Sequence, residues 1–167
     1  NLYENINRLV KLIDYKPVGK QSCVLPVTLT GSEDLSPGYY TIPRFTFSSS
    51  QGKTYTLVED LTFEKATSIS ETITATGNPL LYEGAIQEYP LIQPLGEEFE
   101  TINLLPGKDI IVDHFNISVY VKEVNEENKW YEWKRVPSIY LSEPNERNFE
   151  VRYNETKNYE LKFGNNI

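Results

Sequence analysis

The chain has 167 residues and a formal net charge of -8 at pH 7, with 24 acidic residues against 16 Lys and Arg. That length allows one compact domain or two small ones, and the acidic balance excludes a nucleic-acid surface, which needs clustered cations to displace counterions from phosphates. A single cysteine, Cys23, excludes an intrachain disulfide and a cysteine-built metal site, and no apolar run approaches the roughly 20 residues of a membrane-crossing helix.

Aromatic residues make up 13% of the chain, with 12 Tyr and 7 Phe, a bias toward side chains that pack on a pleated, half-buried surface. Methionine is absent and the chain opens on Asn1, as expected of an excised or processed piece of a longer protein.

In the opening stretch, Leu2, Ile6, Leu9, Val10 and Ile13 recur at helical spacing, with Glu4, Asn7, Arg8 and Lys11 on the other face. The pattern predicts an amphipathic helix over 1–16, stopped by Pro17 and Gly19. The period then changes to two. Leu25, Val27 and Leu29 form one apolar face of a strand, and Pro26, which cannot donate to a ladder, places that strand at an edge.

Ser36, Pro37 and Gly38 mark a turn, after which Ile42, Phe45 and Phe47 resume the alternation, with Pro43 bending or ending a strand. Gln51 and Gly52 form the polar break that closes a hairpin onto KTYTLVED. Short strands follow at LTFE and SISETITATG. The break at Gly77, Asn78 and Pro79 divides an N-terminal β unit, 17–77, from a second β unit, 78–167.

The second unit reads as LLYEGAIQEYPLI, FETINLL, ISVYVKEV, WYEW, FEVRY and YELKF, separated by turn residues. Its cleanest strand places Ile117, Val119 and Val121 opposite Ser118, Tyr120 and Lys122. The predicted fold is mainly β with an N-terminal α-helix, its sheets antiparallel and arranged as a β-sandwich or barrel-like.

Catalytic chemistry finds little to work with. The one histidine, His114, reads as an exposed turn residue before a strand, and its neighbour Asp113 is badly placed to orient it, since adjacent side chains seldom face each other. Glu97, Glu98 and Glu100 offer hard oxygens but lack the spaced Asp, Asn and Gly pattern of a calcium loop, so they read as a solvated loop. Asn116-Ile117-Ser118 and Asn154-Glu155-Thr156 match the N-glycosylation pattern, a frequent chance match. Trp130, Tyr131 and Trp133 allow two readings, a sugar-binding platform or core and interface packing. No catalytic, cofactor-binding or metal-binding residue is assigned.

The order of motifs resembles the baseplate wedge subunits of contractile-tailed phages, a group similar to the baseplate J-like family. Four stretches carry the resemblance: INRLVKLIDYKPVGKQSCVLPVTLT; YYTIPRFTFSSSQGKTYTLVEDLTF; LLYEGAIQEYPLI through GEEFETINLL to IVDHFNISVYVKE; and WKRVPSIYLSEPNERNFEVRYNETKNYELKFGNN, with its Phe-Gly-Asn signature. They cover nearly the whole chain, and their specificity lies in their order.

The resemblance implies a non-enzymatic assembly scaffold of the virion tail baseplate, made in the bacterial host cytoplasm and rearranging on tail contraction. Its implied partners are other wedge subunits and copies of itself within the parent protein, with no nucleic acid, membrane, cofactor, metal or small-molecule substrate. In the family more chain follows the Phe-Gly-Asn signature, so an internal fragment is expected. The alternative reading is a carbohydrate-binding β-sandwich module.

Overall fold

The computed structural model describes residues 18–73, 79–107, 109–123, 129–154 and 156–164. The expected helix over 1–16 lies outside them. The fold is mainly β, and its strand pairs are antiparallel with one exception.

The chain forms two compact units, one of residues 22–90 and one that joins the segment before 22 to residues 91–167. The expected junction at 77–78 therefore moves to 90–91. The physical reason is strand pairing: the run after the Gly77 break returns to the N-terminal unit and adds to its sheet.

The N-terminal unit holds eight strands among the described residues, β1 (Val24–Pro26), β2 (Leu29–Gly31), β3 (Gly38–Ile42), β4 (Phe47–Ser50), β5 (Lys53–Thr56), β6 (Leu61–Lys65), β7 (Glu71–Ile73) and β8 (Leu80–Glu83). One sheet runs β1-β8-β5-β4, and β2 pairs with β7 and β3 with β6. Pro26 does sit on an edge strand, where its missing N–H leaves no gap in a ladder.

The continuous strand expected from Val24 to Thr30 is instead broken between Pro26 and Leu29. The break shifts the phase of the alternation: Val24, Val27 and Leu29 are half-buried while Leu25 faces solvent. The hairpin at Gln51 and Gly52 is present, with Ser50 opposite Lys53 and both turn residues at positive φ, 51° and 76°. Those angles match the tight turn whose twist suits two antiparallel strands.

Leu57, Leu61, Phe63 and Ile73 are the buried apolar residues of this unit, and Phe63 stacks on Tyr40 at 5.6 Å. Lys65 is also buried, an uncommon place for an ammonium group. Its Nζ donates to the carbonyls of Thr67 and Ile69 at 2.6 and 3.1 Å, so the charge is solvated by the loop that follows its own strand. Gly31 makes room for the stem, since a Cβ there would lie 2.8 Å from Ile73 Cδ1 and 2.9 Å from Lys65 Cε.

The C-terminal unit is built on one five-stranded sheet, β10-β11-β12-β13-β9, from β9 (Thr101–Leu104), β10 (Val119–Lys122), β11 (Trp130–Arg135), β12 (Asn148–Tyr153) and β13 (Tyr159–Phe163). Register places Phe149 opposite Phe163, Val151 opposite Leu161, Leu161 opposite Ile102, and Val119 opposite Trp133, so the apolar members of all five strands share a face. Trp133, Phe149, Leu161 and Phe163 form the buried cluster, and the expected alternating trio Ile117, Val119 and Val121 packs against it.

The exception to antiparallel pairing is β11 with β12, joined in parallel through Lys134↔Asn148 and Arg135↔Phe149. A parallel neighbour cannot be reached by a tight turn. The connection from Val136 to Arg147 accordingly crosses over the sheet's other face, with a short 3-10 turn at Ile139–Leu141 and Ile139 buried. Polar groups on that face are satisfied by the crossover: the Ile139 N–H donates to Glu150 Oε2 at 3.1 Å, and Asn148 Nδ2 donates to Ser142 Oγ and Glu146 Oε2.

Candidate interaction surface

Of the residues singled out in the sequence, His114 departs most from expectation. It is 4% exposed rather than a surface turn residue. Its backbone N–H donates to the Lys20 carbonyl at 2.8 Å, and its ring lies between Phe115 and Tyr159. Arg135 Nη2 sits 2.9 Å from His114 Nε2. Because guanidinium only donates, Nε2 must accept and the imidazole is neutral with its proton on Nδ1. Burial first and Arg135 second hold the His114 pKa below its ordinary value. Burial also pushes the Tyr159 phenol up to about 12 and lowers the Arg135 pKa.

This group is a packing junction. The Tyr159 hydroxyl donates to the Val112 carbonyl at 3.2 Å, and a Cβ on Gly19 would lie 1.9 Å from that hydroxyl. Asp113 spends its carboxylate on a local turn, accepting from the Phe115 N–H at 2.8 Å and from Asn116 Nδ2 at 3.0 Å. His114 thus ties its loop to β11 and β13 through its ring and to Lys20 through its backbone, with no hydroxyl or thiol nucleophile hydrogen-bonded to the imidazole among the described residues.

Glu100 is also structural. Its carboxylate accepts from the N–H groups of Leu95 and Gly96 at 2.9–3.2 Å, which takes it out of any calcium-ligand set with the exposed Glu97 and Glu98. Among the described residues, no group of three His, Cys, Asp or Glu side chains is placed to hold a metal ion. The Asn154 amide caps the β12–β13 turn, its Oδ1 accepting from Thr156 and Asn158 and its Nδ2 donating to Glu160 Oε1, so both ends of that side chain are in use. Asn116 is engaged through Nδ2 with Asp113.

The shared face of Tyr131 and Trp133 points into the core. Trp133 is buried in edge contact with Phe163, and Arg147 covers the Tyr131 ring at 3.8 Å while bonding Glu123 through two nitrogens at 2.8 Å. Of the two readings of these residues, core packing is the one Trp133 follows, and Trp130 alone of the three is well exposed.

The feature the sequence reading missed is a pair of strandless stretches in the C-terminal unit that carry large apolar side chains outward. Only Leu80–Glu83 of the expected strand LLYEGAIQEYPLI forms; Gly84, at φ 141°, turns the chain, and Pro90 and Pro94 remove ladder donors. Beyond it Leu91 is 85% exposed and Leu95 78%, and in the second stretch Leu105, Ile110 and Ile111 are also exposed. The Leu95 loop is a built structure, closed by Glu100, by the Glu100 N–H on the Glu97 carbonyl and by the Phe99 N–H on the Gly164 carbonyl. The interrupted alternation, with two prolines and Gly96 inside an apolar run, was the available signal.

These exposed apolar side chains on hydrogen-bonded loops make the two stretches a candidate interaction surface. Comparison with protein-family models, with curated proteins and with solved structures returned no match.

Proposed function

We propose that this chain is part of a structural subunit of a phage tail baseplate wedge, acting as an assembly scaffold through protein-protein contacts and rearranging when the tail contracts. The ordered motif resemblance motivates the reading. The observation that carries it is the Leu91–Leu95 stretch, whose leucines face solvent at both ends and whose Leu95 end is fixed by the Glu100-closed turn, a surface suited to a covering partner. A preformed loop loses little entropy on docking, which suits a part assembled once into a large particle.

In this reading the partners are neighbouring wedge subunits and further copies of the parent protein, and the location is the virion tail. No catalysis, cofactor, metal, small-molecule substrate, nucleic acid or membrane enters it. The sheets close as sandwich-like or barrel-like layers.

The deciding experiment is mass spectrometry of gradient-purified contractile tails from the encoding phage, wild type and Leu91→Glu/Leu95→Glu. Peptides of this chain in wild-type tails, lost from tails but retained in lysate for the variant, support the reading. Tails free of the peptides overturn it. The alternative, a carbohydrate-binding module, has the exposed Trp130 in its favour, and a glycan array giving binding that Trp130→Ala abolishes would replace the scaffold reading.

A further inference from the structure

On the outer face of the C-terminal sheet, away from its apolar core, Tyr140 extends from the 3-10 turn and is 60% exposed. Lys162 Nζ donates to its hydroxyl oxygen at 2.5 Å and lies 4.5 Å from the centre of its ring. The same ammonium sits 5.6 Å from the Phe99 ring, and Phe99 packs on Tyr140 at 5.3 Å, so Lys162 lies beside a pair of packed rings. Phe99 reaches this position at φ 56°, a backbone conformation uncommon for an aromatic residue. Arg152, bound to Glu150 Oε1 at 2.7 Å, contributes a lesser positive charge nearby.

We propose that Tyr140 is a nucleophilic tyrosine, a modification site for electrophiles centred on tetrahedral sulfur or phosphorus, created by Lys162 and Arg152 around an exposed phenol. Lys162 favours the phenolate over the phenol and remains beside the oxygen while it attacks, and Arg152, itself paired with Glu150, adds to the same field. The hydrogen bond from Lys162, followed by its charge, lowers the Tyr140 pKa. With a sulfonyl fluoride, the phenolic oxygen bonds to sulfur, the S–F bond breaks, fluoride leaves and the phenolic proton passes to water. With a fluorophosphonate, phosphorus takes the place of sulfur in the same displacement. This inference does not rest on the scaffold reading, and of the Leu95 loop it uses only Phe99.

The test is peptide-resolved labelling of the intact chain with an arylsulfonyl fluoride and, separately, an alkyl fluorophosphonate across pH 6–10. Tyr39 is the internal reference, because at 82% exposure it is more accessible than Tyr140. At pH 7.5 Tyr140 should label at least about fivefold faster than Tyr39 with one or both probes, with its rate levelling off at lower pH, as nearby cations dictate. A fast reaction with one probe alone identifies the electrophilic centre. Lys162→Gln should bring Tyr140 down to the Tyr39 rate, and Lys162→Arg should preserve most of the excess, each in protein whose tryptophan fluorescence matches wild type. Equal rates for Tyr140 and Tyr39 with both probes, or a fast Tyr140 indifferent to Lys162→Gln, overturn the proposal.

Discussion

Gly19→Ala tests how the segment before the first strand is anchored. A Cβ built on Gly19 falls 1.9 Å from Tyr159 Oη and 2.8 Å from Cζ. Ordinary van der Waals contact begins at 3.4 Å, so the phenol tip or the backbone at residue 19 must retreat by about 1.5 Å. The phenol has little freedom to do so. Tyr159 is 4% exposed, lies against Tyr153 and His114 with ring centres 5.0 and 5.7 Å away, and its hydroxyl is held by the Val112 carbonyl.

Forcing a methyl into such a site costs about 1–3 kcal/mol, and breaking the hydrogen bond to Val112 adds about 1 kcal/mol. The total, roughly 2–4 kcal/mol, is a large part of the stability of a small domain. Trp130 and Trp133, the only tryptophans, both lie in the C-terminal unit, so tryptophan fluorescence during urea denaturation reports that unit. With a slope of about 2 kcal/mol per molar urea, the midpoint should fall by roughly 1–2 M. Gly107→Ala is the control, because its Cβ would meet nothing closer than 3.5 Å. A Gly19→Ala midpoint within about 0.3 M of wild type, a shift below roughly 1 kcal/mol on the same slope, would refute the packing of residues 18–21 against Tyr159.

Three further outcomes follow from buried or strained positions. Because the His114 pKa is lowered in the fold, the unfolded chain binds the proton more readily; the stabilisation is complete above about pH 6.5 and declines as pH falls, by up to about 1.4 kcal/mol per unit until the folded imidazole itself titrates. Urea midpoints from pH 8 to 5 should show this limb, and His114→Gln, which still offers Arg135 an acceptor, should flatten it. Lys65→Met keeps the buried stem but leaves the Thr67 and Ile69 carbonyls without their donor, costing about 1–3 kcal/mol; amide exchange across residues 66–70 should quicken, and unchanged protection there would contradict the role of the ammonium. Gly52→Val places a β-branched residue at φ 76° and should lower the thermal midpoint of the N-terminal unit by a cost of about 1–2 kcal/mol, whereas Gly107→Ala should leave it unmoved.

Several elements were legible along the chain because their cause is local. The Val119–Val121 alternation follows from the two-residue period of a strand, and the Gln51-Gly52 hairpin follows from backbone angles those residues tolerate. Pro26 announced an edge through its missing donor.

Other features depend on partners distant in sequence. His114 is buried because Lys20, Arg135 and Tyr159 converge on it from 94, 21 and 45 residues away, and nothing near position 114 encodes that meeting. The destination of Leu80–Glu83 was set by which open edges accepted it, so a turn signal at Gly77 could mark a break without marking a unit boundary. Tyr131 and Trp133 were known to share a face; only their packing with Phe149, Leu161 and Phe163 decided that this face is the inside. By itself the sequence determined a strand-rich, acidic chain with its turns in place, because periodicity and backbone restriction act over a few residues. Which side chains are buried and which stand outward was decided by tertiary structure, because burial is a property of the neighbours that arrive from elsewhere in the chain.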